Sequence, residues 1–230
     1  IQIKDPKSRV LQIQGPASID IMKLASSGKI DENMPYFTSN FFDLGGQTLY
    51  VSRTGFTNEL GFEIFCDGFK TDHLALWDYL IECGKPYGMQ FSASRAMTIR
   101  RIEGGIFGNL TDIDTTITPF EAGLGYFVNM DKDFIGKDAL IKKDKRTCLF
   151  GITCKTTVPK AGSKIKINDK HVGYITAGVP SPTLQQGIGY VRFYEPNDYM
   201  NKEIEIILPD HSSHTGVVVD LPFFDKEKKI

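Results

Sequence analysis

Long apolar runs are missing from this sequence of 230 residues. None approaches the roughly 18 residues that a membrane-spanning helix needs, so a helical span is excluded. An excess of charge of one sign is missing too. Lys and Arg total 27 against 28 Asp and Glu, for a net charge of -1, without the basic excess of a nucleic-acid footprint. Cysteine is sparse. Cys66, Cys83, Cys148 and Cys154 show no C-x-x-C spacing, and Cys148 and Cys154 lie in or beside an apolar strand. They read as buried free thiols of a reduced, cytoplasmic protein. The histidines His73, His171, His211 and His214 do not join cysteines at zinc spacing. His211 and His214 form H-x-x-H in a Ser-rich turn with no third ligand nearby, a surface loop rather than a metal site. Phosphate loops of the G-x-x-x-x-G-K-[ST] or G-x-G-x-x-G type are absent, as is a G-x-S-x-G elbow. Gly104-Gly105-x-x-Gly108 follows a helical segment and reads as a turn. No signal-peptide pattern opens the sequence.

What is present describes a globular chain. Hydrophobic residues make up 41% and charged residues 24%, a composition that fits one large domain or two of ordinary size. Val10 to Gln14 reads as a strand and Ala17 to Ala25 as a helix with Ile21, Leu24 and Ala25 on one face. Residues 37–44 and 47–53 are strand-like, and Gly45-Gly46 between them signals a hairpin. Thr71 caps a helix to about Cys83, with Leu74, Trp77, Leu80 and Ile81 as its apolar stripe. Residues 93–103 form a further helix, with Ala96, Ile99, Arg100 and Glu103 at helical spacing, and a Gly-rich irregular stretch follows. From Thr147 short strands recur at 147–154, 163–167, 171–177, 187–193, 202–208 and 214–220, separated by turn residues. Such punctuation implies a small antiparallel barrel or sandwich. The expected organisation is an α+β region over 1–145 and a β domain over 146–230, joined through Lys142-Lys143-Asp144-Lys145-Arg146. The opening Ile1-Gln2-Ile3 lacks Met and looks like a strand already under way, which suggests a fragment, a processed protein or a partial chain. Lys226, Lys228 and Lys229 read as a solvated end.

One carboxylate stands out. Arg53 to Ile64 reads as a β-turn-β hairpin whose second strand puts Phe62 and Ile64 on one face and Glu63 with Phe65 on the other. A glutamate among apolar strand residues must lie on a wet face or have a partner. Asp112-x-Asp114 is a second acidic candidate, but Thr-rich turns use such residues as local caps.

The hairpin Gly55-Phe56-Thr57-Asn58-Glu59-Leu60-Gly61-Phe62-Glu63 resembles the G-[FY]-T-G-E-x-G-[FY]-E hairpin of the glycine cleavage system T-protein superfamily. That superfamily includes aminomethyltransferases, dimethylsulfoniopropionate demethylases and the folate domains of sarcosine and dimethylglycine dehydrogenases. L-Q-I-Q-G-P-A at 11–17, R-I-E-G-G at 101–105, D-I-D-T-T-I-T-P at 112–119 and T-P-F-E-A-G-L-G-Y-F-V at 118–128 agree in order. So do D-F-I-G-K-D-A-L at 133–140, V-P-K-A-G at 158–162, V-G-Y-I-T-A-G-V-P-S-P at 172–182 and V-V-V-D-L-P-F-F at 217–224. The resemblance implies an N-terminally incomplete, T-protein-type folate-binding α+β region followed by a C-terminal antiparallel β-barrel. It implies tetrahydrofolate as cofactor, with Glu63 accepting adjacent N–H donors of the pterin edge in a charge-assisted fork. Phe56 and Tyr126 fall where the family places aromatic residues near the folate, and Lys160 where it often has Arg.

The implied activity is transfer of a methyl or aminomethyl unit from a small amine or sulfonium donor onto tetrahydrofolate, with a lipoyl carrier protein as partner in a true T-protein. Relatives commonly read A-R-D-x-L-R-L-E-A-G, and their first Arg contacts folate; here Met97 stands there and Arg95 is two residues off. R-I-E-G-G leans toward the demethylase-like branch, and the hairpin with Glu59 toward the aminomethyltransferases. The acidic residue that assists catalysis in the family belongs to a preceding segment, so no catalytic residue is assigned. A non-catalytic folate-binding remnant and the C-terminal folate domain of a dehydrogenase are the alternative readings.

Overall fold

The computed structural model describes residues 4–224; Ile1–Ile3 and the basic tail with Lys226, Lys228 and Lys229 lie outside them. The chain divides into two compact units, Ile1–Ser94 and Arg95–Ile230. Among the described residues no helix is long and apolar enough to cross a membrane.

In the first unit β1 (Arg9–Gln14), β2 (Ser39–Leu44), β3 (Gln47–Ser52) and β4 (Gly61–Cys66) form an antiparallel sheet of order β1-β4-β3-β2. The helices α1 (Ser18–Ala25) and α2 (His73–Gly84) complete it. Strand alternation sends Ile13, Leu49, Val51, Phe62 and Ile64 into one core with Ile21, Met22, Leu76 and Leu80. The opposite sheet face carries the other residues of each strand. β1 finds its pairing partner in β4.

Both helices sit near their expected places, but their buried faces differ. In α2 the core takes Leu76, Leu80 and Cys83, while Leu74 is exposed and Trp77 packs edge-on against Phe91 at 5.6 Å. In α1, Met22 is buried with Ile21 and Ala25, and Leu24 points outward. Each helix is apolar on more than one side, so spacing alone admits two stripes and the sheet selects one. Asp72, not Thr71, caps α2: its carboxylate accepts from Ala75 N at 3.0 Å.

In the second unit β5 (Leu149–Cys154), β6 (Lys164–Ile167), β7 (Lys170–Ser181), β8 (Gln186–Phe193), β9 (Glu203–Ile207) and β10 (Ser213–Val219) close an antiparallel barrel of order β10-β5-β8-β7-β6-β9. The expected C-terminal barrel is therefore present. Phe150, Ile152, Ile165, Ile175, Val191, Ile206 and Val218 fill it. All four cysteines are free and buried, and burial pushes the Cys148 thiol up to about 11. β7 runs on to Ser181, past its expected end, through a register irregularity between Ile175 and Ala177. A short helix α4 (Lys137–Ile141) occupies a stretch for which the sequence signals no element.

The helix α3 (Ser94–Glu103) ends in a buried polar network that fastens it to the barrel. Arg101 Nη1 donates to Asp112 Oδ2 at 2.8 Å, Gly108 N donates to the same oxygen at 2.7 Å, and the Thr176 hydroxyl donates to Oδ1 at 2.8 Å. Glu103 Oε1 accepts from Ser181 Oγ at 2.5 Å and Thr183 N at 3.2 Å, and Oε2 accepts from Arg100 Nη1 at 2.7 Å. Burial by itself would raise the Glu103 carboxyl, but the bonds from Ser181, Thr183 and Arg100 outweigh it and hold it below its ordinary value of 4.5. A lowered folded-state value means that the charged form stabilises the fold above the ordinary value and that this stabilisation is lost as pH falls. Glu103→Gln is expected to cost about 1–3 kcal/mol at pH 7 in urea denaturation. The difference from wild type should shrink progressively below pH 4.5; a difference that grows on acidification contradicts the assignment.

Candidate functional site

Glu63 sits on the outer face of the sheet, and its neighbours follow from register. Gln12 of β1 and Ser52 of β3 stand directly opposite it, and Ser39 of β2 stands opposite Ser52. These residues make a polar row across four strands. Two residues along, Phe65 pairs with Tyr50 and Val10, and Tyr50 with Phe41. That row is aromatic, with ring centroids 5.9 Å apart for Tyr50–Phe65 and 5.2 Å for Phe41–Tyr50.

The Glu63 carboxylate is half-buried and held at both oxygens. Oε1 accepts from Gln12 Nε2 at 3.1 Å, and Oε2 accepts from the Thr54 hydroxyl at 2.5 Å. Ser52 Oγ lies 2.5 Å from Thr54 Oγ1. A hydroxyl has one proton, and that of Thr54 goes to Glu63, so Ser52 is the donor in the second contact. The chain Ser52 to Thr54 to Glu63 thus fixes the carboxylate plane. An ionised carboxylate offers about four lone-pair sites, and the contacts with Gln12 and Thr54 use one on each oxygen. A second acceptor position on each oxygen is not used by these contacts.

The hairpin that delivers Glu63 is fastened by Gln14. Its Nε2 donates to the carbonyls of Thr54 and Phe62, each at 3.3 Å, and its Oε1 accepts from the Thr57 hydroxyl at 2.8 Å. The Gln14 side chain fills the space where a Cβ on Gly55 or Gly61 would stand, at 2.1 and 2.4 Å, so both motif glycines answer to this close approach. Asn58 has φ +63, a conformation that glycine adopts freely and asparagine tolerates. The one departure from the family hairpin therefore keeps its backbone shape.

The remaining sequence candidates are placed as follows. Phe56 is half-buried in the same loop as Thr54. Tyr126 belongs to the second unit, on a single helical turn Gly125–Phe127, 94% exposed and edge-on to Phe127 at 5.6 Å. Lys160 is exposed in the turn before β6. Met97 is half-buried on α3, and Arg95 at its start is exposed. Asp112 and Asp114 are committed to structure: Asp112 to Arg101 and Thr176, Asp114 to Thr116 and to Arg192 at 3.3 Å. His214 lies in β10 rather than in a loop, with Nδ1 3.1 Å from Thr156 Oγ1 and Nε2 3.2 Å from Ser212 Oγ. Among the described residues no group of three or more His, Cys, Asp or Glu could hold a metal ion. Sequence reasoning missed Gln12, Ser52 and Thr54. The L-Q-I-Q-G-P-A segment contains Gln12 and Gln14, and a β1–β4 pairing hypothesis would have placed Gln12 beside Glu63.

Family models agree with this architecture. The GCVT N-terminal domain matches residues 1–132, and the glycine cleavage T-protein C-terminal barrel domain matches residues 145–225. The chain belongs to the glycine cleavage T-protein family. Similar proteins include an aminomethyltransferase of Alkaliphilus oremlandii, 38% identical over 83% of this chain and 52% of its own length. Another, from Caldanaerobacter subterraneus subsp. tengcongensis, is 32% identical over 100% of this chain and 62% of its own length. The solved structure of the glycine cleavage system aminomethyltransferase T from Bartonella henselae shares the fold with a TM-score of 0.77 at 23% identity, covering 94% of this chain and 60% of that one. This T-protein family chain thus spans between about half and two thirds of the length of these relatives.

Gln14→Ala tests the hairpin anchor. It strips a hydrogen-bond partner from the buried Thr57 and from two carbonyls, and is expected to destabilise the fold by about 1–3 kcal/mol in urea denaturation. Unchanged stability would show that the loop holds its shape without this residue.

Proposed function

We propose that this T-protein family member holds tetrahydrofolate as the acceptor in a one-carbon transfer, with Glu63 as the anchor of the pterin edge. The observation that carries the reading is the Glu63 carboxylate: fixed by Gln12 and Thr54 at one position on each oxygen, with acceptor capacity left on both. Adjacent N–H donors on one edge of a pterin match that demand, and such charge-assisted pairs are short and directional. Tetrahydrofolate, when bound, supplies the nucleophilic N5 that receives the one-carbon unit. The chain's own residues orient the ring, and correct alignment of acceptor and donor is itself a large contribution to rate. Phe56, Tyr126 and Lys160 are further proposed folate contacts, resting on their motif positions alone. The names of the similar aminomethyltransferases favour an aminomethyl donor over a sulfonium, and the T-protein resemblance implies a lipoyl carrier protein that presents it.

A second reading, folate binding without turnover, is favoured by Met97 at the position where relatives carry a folate-contacting Arg. Transfer assays distinguish the two: binding with no transfer from any donor supports it.

Isothermal titration with tetrahydrofolate tests the anchor. Replacing a charged hydrogen-bond acceptor costs about 1.5–3 kcal/mol, so Glu63→Gln should weaken binding roughly ten- to a hundred-fold while leaving the fold intact by circular dichroism. No binding by the wild-type chain, or equal binding by the variant, overturns the proposal. Restoring the family residue by Met97→Arg should tighten binding; an unchanged or weaker affinity speaks against a folate contact at that position.

A further inference from the structure

The four-stranded sheet of the first unit has two outer strands, β1 and β2. An outer strand presents unpaired N–H and C=O groups, and proteins usually blunt it with lysine, proline, a bulge or a cover. β1 is guarded in this way: Pro6 and Lys7 precede it and Arg9 opens it. β2 is not. It reads Ser39-Asn40-Phe41-Phe42-Asp43-Leu44, with Asp43 as its one charge and no proline, and it follows β3 without a bulge. Ser39, Asn40 and Phe41 are exposed, Phe41 to 65%, and Phe37 just before the strand is exposed to 88%.

The hairpin turn fixes which groups of β2 face outward. Gly45 and Gly46, both at positive φ, close a two-residue loop on the pair Leu44–Gln47. Such a turn bonds its first residue to its fourth, and bonded and unbonded pairs alternate along an antiparallel ladder. Leu44, Phe42 and Asn40 therefore bond to β3, and Ser39, Phe41 and Asp43 aim their N–H and C=O groups away from the sheet. The Phe41 N–H agrees with this phase. It donates to the Asn40 side-chain oxygen at 2.8 Å, a local stand-in for a neighbouring strand.

We infer that β2 is a self-association edge: it pairs antiparallel with β2 of a second copy of this chain and joins the two sheets into one. The strand's own sequence selects the register. A two-fold axis through Phe41 sets Phe41 opposite the second copy's Phe41 and Ser39 opposite the second copy's Asp43. All the outward-facing residues are then used, and each opposed pair exchanges two N–H···O bonds. Each Asp43 carboxylate meets a serine hydroxyl. An axis at Phe42 would leave Ser39 without a strand residue opposite, and one at Asp43 would set two carboxylates face to face, which is destabilising. On the outer face the two Phe41 rings meet, so the aromatic row of Phe65, Tyr50 and Phe41 continues into its copy. The contact is isologous, so it closes at two copies and leaves the guarded β1 edge at both ends. Main-chain bonds and matched side chains are the general means by which a strand adds to an open edge. The inference does not depend on the reading of Glu63.

Sedimentation equilibrium of the full chain over roughly 1–100 µM, the span of modest affinities, tests the pairing. Wild type should pass from monomer to dimer and no further. Phe41→Lys sets two cations face to face at the axis and should weaken the dimer roughly tenfold or more. Phe41 is exposed, so this variant is expected to fold, and coincident thermal melts check it. Register has its own readout. Opposed Cα atoms in a hydrogen-bonded antiparallel pair lie about 5.5 Å apart, within disulfide reach. The native cysteines are all buried, so Phe41→Cys should give a covalent dimer under mild oxidation. Thr48→Cys, exposed on β3 of the same face, should not. A wild type that stays monomeric throughout overturns the inference. So does a dimer that tolerates Phe41→Lys, or one in which Phe41→Cys crosslinks no faster than Thr48→Cys.

Discussion

Glu63 keeps a charge half-buried on a sheet face because Gln12 and Thr54 each hold one of its oxygens. Both partners exist only because β1 and β3 flank β4 in the observed register. A slip of one residue would turn Glu63 toward Leu49, Val51 and Ile13 and expose Phe62. The burial of Phe62 and Ile64 resists that slip. The hydrophobic core therefore sets the chemistry of the opposite face: the same alternation that buries Ile64 aims Glu63 outward, with Gln12 and Ser52 at its sides.

The buried carboxylates of the second unit show what a saturated acid looks like. Asp112 receives Arg101, Gly108 and Thr176, and Glu103 receives Ser181, Thr183 and Arg100. Each has a cation and further donors, as the cost of burying charge requires. Their work is to fasten α3 and its following loop to the barrel. Glu63 receives neutral donors, Gln12 on one oxygen and Thr54 on the other. On the proposed reading, a ligand with paired N–H groups adds the second set of donors. The difference between these acids lies in their coordination: Asp112 and Glu103 each hold a cation and further donors, and Glu63 holds one neutral donor on each oxygen.

Much of this was legible in the sequence. Alternation in Phe62-Glu63-Ile64-Phe65 was enough to assign faces, because a strand has only two. The six barrel strands were legible because turn residues punctuate them. The helices were legible in position but not in orientation: Leu74 and Leu76 both fit a 3.6-residue period, and only the sheet decides which is buried. Strand pairing was not legible either. Gln12 and Glu63 are 51 residues apart, and nothing local indicates that they meet. The supporting shell of Glu63 comes entirely from such long-range pairing, which is why the acid was found and its partners were not.

Two departures from the family pattern have opposite physical weight. Asn58 replaces glycine at φ +63, where asparagine is among the few side-chain residues tolerated, so the hairpin retains its path. Gln14 packs against Gly55 and Gly61, which fixes the loop that leads to Glu63. Met97 is a different matter. An arginine offers a fixed fork of donors and a permanent charge, and methionine offers neither. Asn58 is tolerated because its position asks only for a backbone conformation, whereas Met97 changes what a side chain can donate.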